Sequence, residues 1–256
     1  MPIALDNFVA SFSLFAAPFL RLSGMMLAAP VFNNRSFNLR ARALLAVLLA
    51  ALVAPSLPSL PFENIFSGVG LVAALSELGV GLMMGFVMQL AFAAAVFAAH
   101  AQSMTMGLGF AMAVDPQNGV QVPVVAQLFV ILTTLIFLSV DGHLAIIAAV
   151  VESYSLVPLG STGLPQISFS RLVDLGSLVF TWGILMALPI LTALLFMNIA
   201  LGVVTRAAPQ LNIFAVGFPV TIMSGLLIML IVMPIYIDLL TQLLDLTLAE
   251  SLKLFS

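Results

Sequence analysis

Apolar residues in this chain run in long blocks rather than in alternation with polar ones. Short polar breaks separate six blocks, at 8–32, 43–62, 65–99, 122–157, 172–204 and 211–237, and residues 238–256 follow as a tail. The every-other-residue pattern of a half-buried strand is missing, so the blocks predict helices. Runs such as Val122–Val140 match the ~20 residues that a helix needs to cross a ~30 Å hydrocarbon core. In the tail, Leu239, Leu240, Leu243, Leu244, Leu248 and Leu252 share a stripe while Asp238, Asp245 and Glu250 lie off it. That pattern predicts an amphipathic helix packed on a neighbour or lying at an interface. No soluble domain fits between the blocks, and residues 1–256 are expected to form a single domain.

The block lengths predict irregular helices. As one helix, 65–99 would be ~52 Å long, well beyond a bilayer, so a break or a tilt is expected there. Gly79, Gly81 and Gly85 mark a place where the helix bends or where another backbone approaches it. Pro189 is expected to divide 172–204 into halves of ~25 Å, because proline removes one intrahelical donor and clashes with the preceding turn. Asp141-Gly142-His143 reads as a turn, with Asp141 and Gly142 ending one helix and His143 starting the next. The expected fold class is all-α, made of membrane-type helical hairpins with broken helices.

Charge is scarce and unevenly placed. Arg35, Arg40 and Arg42 follow the first block and Arg206 the fifth, whereas the even-numbered loops and the tail hold only Arg171 and Lys253. The cytoplasmic bias of Lys and Arg then puts the odd loops in the cytoplasm and both termini outside. A cleaved signal peptide is not expected, since residues 1–7 carry Asp6 and no basic residue and the first block continues past Arg21 to Phe32.

Composition narrows the function classes. Hydrophobic residues make up 63% of the chain and charged ones 7%, against roughly 45–50% and about 25% in soluble domains. Seven Lys+Arg, ten Asp+Glu and two His cannot cover a water-facing surface. With lipid or apolar protein as the solvent, every backbone N–H and C=O must be bonded internally, which again requires helices. The absence of cysteine removes disulfides, thiolate metal sites and thiol nucleophiles. A net charge of −3 spread along the chain leaves no nucleic-acid-binding face. His100 and His143 lack metal-ligand spacing, no phosphate-binding glycine loop accompanies the single lysine, and no nucleophile elbow is present. No catalytic, cofactor or metal residue is expected.

Two features remain. Arg21, Glu77, Asp141 and Glu152 lie in or beside apolar stretches, where an unpaired charge costs about 2.5–3.5 kcal/mol. Each therefore needs a partner or water, either as part of an ion path or gate contact or as a buried salt bridge that fixes helix register. The segment from Met104 to Gly119 is the other. Met104, Met106, Gly107, Leu108, Gly109, Phe110 and Met112 precede an Asp115-Pro116-Gln117-Asn118-Gly119 turn, in a region too apolar for an ordinary exposed loop. Such a segment suits a movable seal in a pore. It equally suits a re-entrant hairpin buried against partners, with the methionines filling gaps.

At three places the chain resembles the FliR family of flagellar biosynthesis proteins and its SctT relatives in virulence secretion. These are Arg21–Phe32, with Gly24 and Pro30; Met106–Gly119, followed by Pro123, Gln127, Asp141-Gly142-His143 and Pro158-Leu159-Gly160; and Arg206–Pro219, with Pro209, Asn212 and Gly217. The resemblance departs from the family pattern at Phe37-Asn38, where many relatives carry a proline, and at His100, near an acidic position in relatives. It implies a non-enzymatic subunit of a protein-export gate, assembled in a spiral with FliP and FliQ and joined by FlhB, with FlhA and the flagellar basal body as further neighbours. Unfolded export substrates would pass through it. The location implied is the bacterial inner membrane, with much of the assembly raised toward the periplasm. The segment Met104–Gly119 would act as a plug. Arg21, Gly24, Pro30, Glu77, Asp141, Gly142, Pro189, Arg206, Pro209, Asn212, Gly217 and Pro219 would serve structure and assembly. Arg206 is expected to bond carbonyls at the preceding helix end. The main rival reading, a secondary transporter of small solutes, would lead one to expect two halves of matching hydropathy, and no convincing internal repeat is found.

Overall fold

The computed structural model describes residues 2–33, 38–57, 67–108, 124–159, 161, 169–208 and 213–255. Among them every regular element is helical: α1 (Pro2–Ala28), α2 (Leu39–Val53), α3 (Gly68–Thr105), α4 (Val124–Ser139), α5 (Gly142–Leu156), α6 (Phe169–Leu175), α7 (Ser177–Ala207) and α8 (Ile213–Lys253), with a short 3-10 turn at Ala54–Ser56. Four helical stretches are long and apolar enough to cross a membrane, namely Leu39–Ser56, Gly68–Thr105, Ser170–Ala207 and Gly217–Lys253. The pair α4 and α5 makes a fifth if its 64° bend is taken as one broken span. The protein is an all-α membrane protein. At ~1.5 Å per residue α3 is ~57 Å long, nearly twice a ~30 Å hydrocarbon core.

Local chemistry explains the helix boundaries. Asn38 accepts the Arg40 amide on its side chain at 3.0 Å, capping α2. The expected turn at Asp141-Gly142 is present: Asp141 is left-handed at φ 55°, and its carbonyl collects the amides of Leu144 and Ala145 at 2.9 and 3.0 Å. The break expected at Pro189 is not. α7 runs through it unbroken, and the interruption in the block falls instead at Gly176, between α6 and α7. Proline deprives one carbonyl of its donor, but Gly183, Met186, Ala187, Ile190 and Leu194 are buried around it. That packing holds the helix where local propensity would end it. The tail is likewise not a separate element, since α8 continues to Lys253 through Pro219 and Pro234.

The chain divides into two compact units. Unit one comprises Met1–Leu90, Asp141–Leu175 and Leu244–Ser256. In it α1 and α3 approach backbone to backbone: a Cβ on Gly81 would overlap the Arg21 carbonyl, one on Gly24 the Leu78 carbonyl, and one on Gly85 would lie 2.5 Å from the Met25 carbonyl. The 38-residue α3 is thus unbroken, and these glycines serve close approach. Ala17, Val53, Tyr154 and Leu159 form a buried cluster in the same unit. Arg171 closes the end of α8 by donating to the Lys253 carbonyl at 2.8 Å and pairing with Glu250 at 3.4 Å.

Unit two comprises Ala91–Val140 and Gly176–Leu243. Its part of α3 carries Ala91, Ala94, Ala95, Ala98 and Ala99, all fully buried. Small side chains let neighbouring helices close in: a Cβ on Gly183 of α7 would meet the Phe97 ring at 2.6 Å. Phe92 meets Phe137 of α4 edge-on, Phe129 meets Tyr236 of α8, and Thr133 shares a hydrogen bond with the Tyr236 hydroxyl at 3.2 Å. The outer faces of α7 and α8 remain apolar, with Phe196 and Met223 each 73% exposed. Such faces require lipid or protein around them.

Candidate functional site

Two constellations hold the residues singled out by the sequence. The first is the polar centre of unit one. Arg21 is fully buried, and its Nε donates to Glu77 Oε2 at 2.6 Å. Nη1 donates to Ser153 Oγ at 2.9 Å, Nη2 donates to the Val157 carbonyl at 3.0 Å, and the guanidinium carbon lies 3.9 Å from the centre of the Tyr154 ring. One side chain thereby ties α1 to α3, to α5 and to the residue that ends α5. Arginine suits this because its planar fork fixes several acceptors at once and its face stacks on an aromatic ring. The pair is buried and bonded, as a register-fixing salt bridge would be. Asp141 and Glu152, by contrast, are exposed.

The second constellation is the end of α3 in unit two, where the Met104–Gly119 segment begins. The Leu108 amide donates to the Ser103 carbonyl at 3.1 Å and the Gly107 amide to the Met104 carbonyl at 3.1 Å. Gly107 has φ +83°. This is a Schellman cap, which needs a residue that tolerates the left-handed region. Met106 is 1% exposed and lies on Gly225 of α8, where a Cβ would meet its Cε at 2.5 Å and its Sδ at 3.1 Å. Thr221, one turn earlier on α8, donates to the Met106 carbonyl at 3.3 Å. The Phe218 ring lies 3.3 Å from the Cβ position of Gly107. The root of the segment is therefore seated on α8 at Met106, while Met104 is 65% exposed and Leu108 half-buried.

The other expected residues are placed as follows. Gly109, Phe110, Met112, Asp115, Pro116, Gly119, Pro209 and Asn212 lie outside the described residues. Pro30 sits in the turn after α1, Gly142 is buried at the start of α5, and Arg206 is exposed in the last turn of α7. In α8, Gly217 is buried and Pro219 exposed. Among the described residues no group of three or more His, Asp or Glu is placed to hold a metal ion. Sequence reading missed Ser153, Tyr154, Thr221 and Gly225. The last two had a signal, since Thr221 and Gly225 stand four apart among large apolar residues and so make one small face of a helix.

A family model described as "Bacterial export proteins, family 1" matches residues 12–247. The chain is similar to the flagellar biosynthetic protein FliR of Escherichia coli strain K12, 36% identical over 235 residues, which is 92% of this chain and 90% of the relative. It is also similar to the FliR proteins of Pectobacterium carotovorum, 40% identical over 87% of this chain and 85% of the relative, and of Bacillus subtilis strain 168, 25% identical over 90% of each.

Proposed function

From the premise that this chain belongs to the FliR family of bacterial flagellar export proteins, we propose that it is a core subunit of the type III export gate and that its Met104–Gly119 segment plugs the closed channel. The whole chain acts as one export-gate domain. It works with FliP and FliQ in a hetero-oligomeric spiral joined by FlhB, next to FlhA and the basal body, in the bacterial inner membrane and partly raised toward the periplasm. Unfolded flagellar subunits cross the gate, and the chain forms and breaks no bond in doing so. Lipid meets the faces that partners leave open.

The observation that carries this reading is the seat of Met106. A plug must leave the channel wall from a fixed root, and the Schellman cap, the Gly225 seat and the Thr221 hydrogen bond supply one. Beyond that root come Gly109, Met112 and Gly119; glycine leaves the backbone adaptable, and methionine repacks around many shapes without imposing one. An entering polypeptide displaces the segment sterically. Deleting residues within 109–119 while keeping the cap at 103–108 is expected to raise ion leakage through the assembled gate. Conductance equal to the parent's in a normally assembled gate refutes the plug.

A further inference from the structure

The turn of α3 that carries Met106 is bonded well along its backbone and poorly through its side chains. The Gln102 carbonyl accepts the Met106 amide at 2.9 Å and the Ser103 carbonyl accepts the Leu108 amide. The Gln102 and Ser103 side chains are each 1% exposed. Yet among the described residues no protein group bonds to Gln102 Nε2, to Gln102 Oε1 or to the Ser103 hydroxyl. One turn below, Ala98 and Ala99 are fully buried while His100 is exposed. An apolar side chain of the same size as Gln102 would sit in those surroundings without the penalty that a buried amide lacking a protein partner incurs. The polar pair thus opposes the packing that seats Met106.

We infer that Gln102 and Ser103 make the seated cap metastable. When Met106 leaves Gly225 and the last turn of α3 loosens, both side chains gain water. The pair therefore favours the unseated state and reduces the push that an incoming polypeptide must deliver. This inference rests on the gate reading and adds to it the device that sets how readily the gate yields.

The test uses the absence of cysteine in the chain. In the purified, assembled gate, Thr221→Cys places this chain's sole thiol in the seat, at a position 9% exposed in the native protein, so its maleimide labelling rate reports unseating. In that background Gln102→Met and Gln102→Leu are expected to slow labelling about tenfold, the lower-middle of the range for one unbonded buried polar group. Ser103→Ala slows it less, and Gln102→Glu speeds it. Unchanged or faster labelling in Gln102→Met overturns the inference, as does Gln102→Glu labelling no faster than the parent. Conductance recorded in parallel separates the two readings. Labelling shifts in the Gln102 variants beside unchanged conductance after loop shortening keep the metastable cap and remove the plug. Leakage after loop shortening beside flat labelling in the Gln102 variants does the reverse.

Discussion

Arg21→Ala removes a side chain that ties α1, α3 and α5 together, and the structure allows its effect to be sized. Ser153 loses the Nη1 donor but keeps its own bond to the Val150 carbonyl at 2.6 Å, so its share is small. The Val157 carbonyl loses Nη2, and a buried acceptor left unmet costs about 1–3 kcal/mol. The largest effect falls on Glu77, 2% exposed and deprived of its cation. Breaking a buried pair from one side costs about 3–5 kcal/mol. At about 2–4 °C per kcal/mol for a chain of this size, the purified gate should lose its assembled peak on size-exclusion chromatography about 6–20 °C earlier on heating. The companion variant decides the cause. Arg21→Met combined with Glu77→Leu replaces both charges by apolar groups of similar bulk and should recover most of the loss, leaving the share of the Val157 carbonyl. A midpoint for Arg21→Ala within about 2 °C of the parent, or a double variant as damaged as the single one, refutes the argument that a stranded charge dominates.

Three further outcomes follow from the geometry. Gly81→Ala places a methyl on the Arg21 carbonyl and should destabilise by about 1–3 kcal/mol in thermal unfolding, while Gly68→Ala, with open space around it, should be neutral or slightly stabilising. Met106→Ala empties the seat on Gly225 at a cost of about 2–5 kcal/mol, and Gly225→Leu should displace Met106 from the other side. Both are expected to speed maleimide labelling of Thr221→Cys, and protection equal to the parent's would count against the seat. Arg171→Ala releases the Lys253 carbonyl at the end of α8. Because Arg171 and Lys253 are partly exposed, the effect on stability should be under about 1 kcal/mol, and the readout is faster proteolysis of the last turn of α8.

Much of this architecture was legible because the solvent leaves few alternatives. Continuous apolar blocks with so few charges must be helices, and the Asp141-Gly142 turn followed from the two residues that most readily leave a helix. Arg21 and Glu77 were legible as charges in need of a partner, but their pairing was not, since nothing local connects positions 56 apart. Pro189 misled because a local rule was applied where tertiary packing prevails. The same holds at the junction of block and tail: the change from apolar to amphipathic near Asp238 marks a change of surroundings, and the helix continues through it. The seat of Met106 stayed hidden for a different reason. Methionine and glycine carry no directional signal, so a Met–Gly contact between distant helices cannot be read from either segment alone.

The two constellations also differ in a way that bears on how a gate can work. Around Arg21 every guanidinium nitrogen donates to a neighbour and the ring of Tyr154 covers one face, so moving any one of those elements breaks bonds to the others. Such a centre resists displacement and keeps unit one in one arrangement. At the end of α3 the balance is reversed. On α8 Met106 is held by shape and by the Thr221 hydrogen bond of 3.3 Å, and on the inference above the Gln102 and Ser103 side chains gain bonds when it leaves. A protein that must hold its own form while letting a passing chain push part of it aside needs both kinds of site, one rigid and one labile. In this chain they differ in their treatment of buried polarity: the guanidinium of Arg21 is bonded at every nitrogen in the first, whereas in the second the Gln102 amide and the Ser103 hydroxyl have no partner among the described residues.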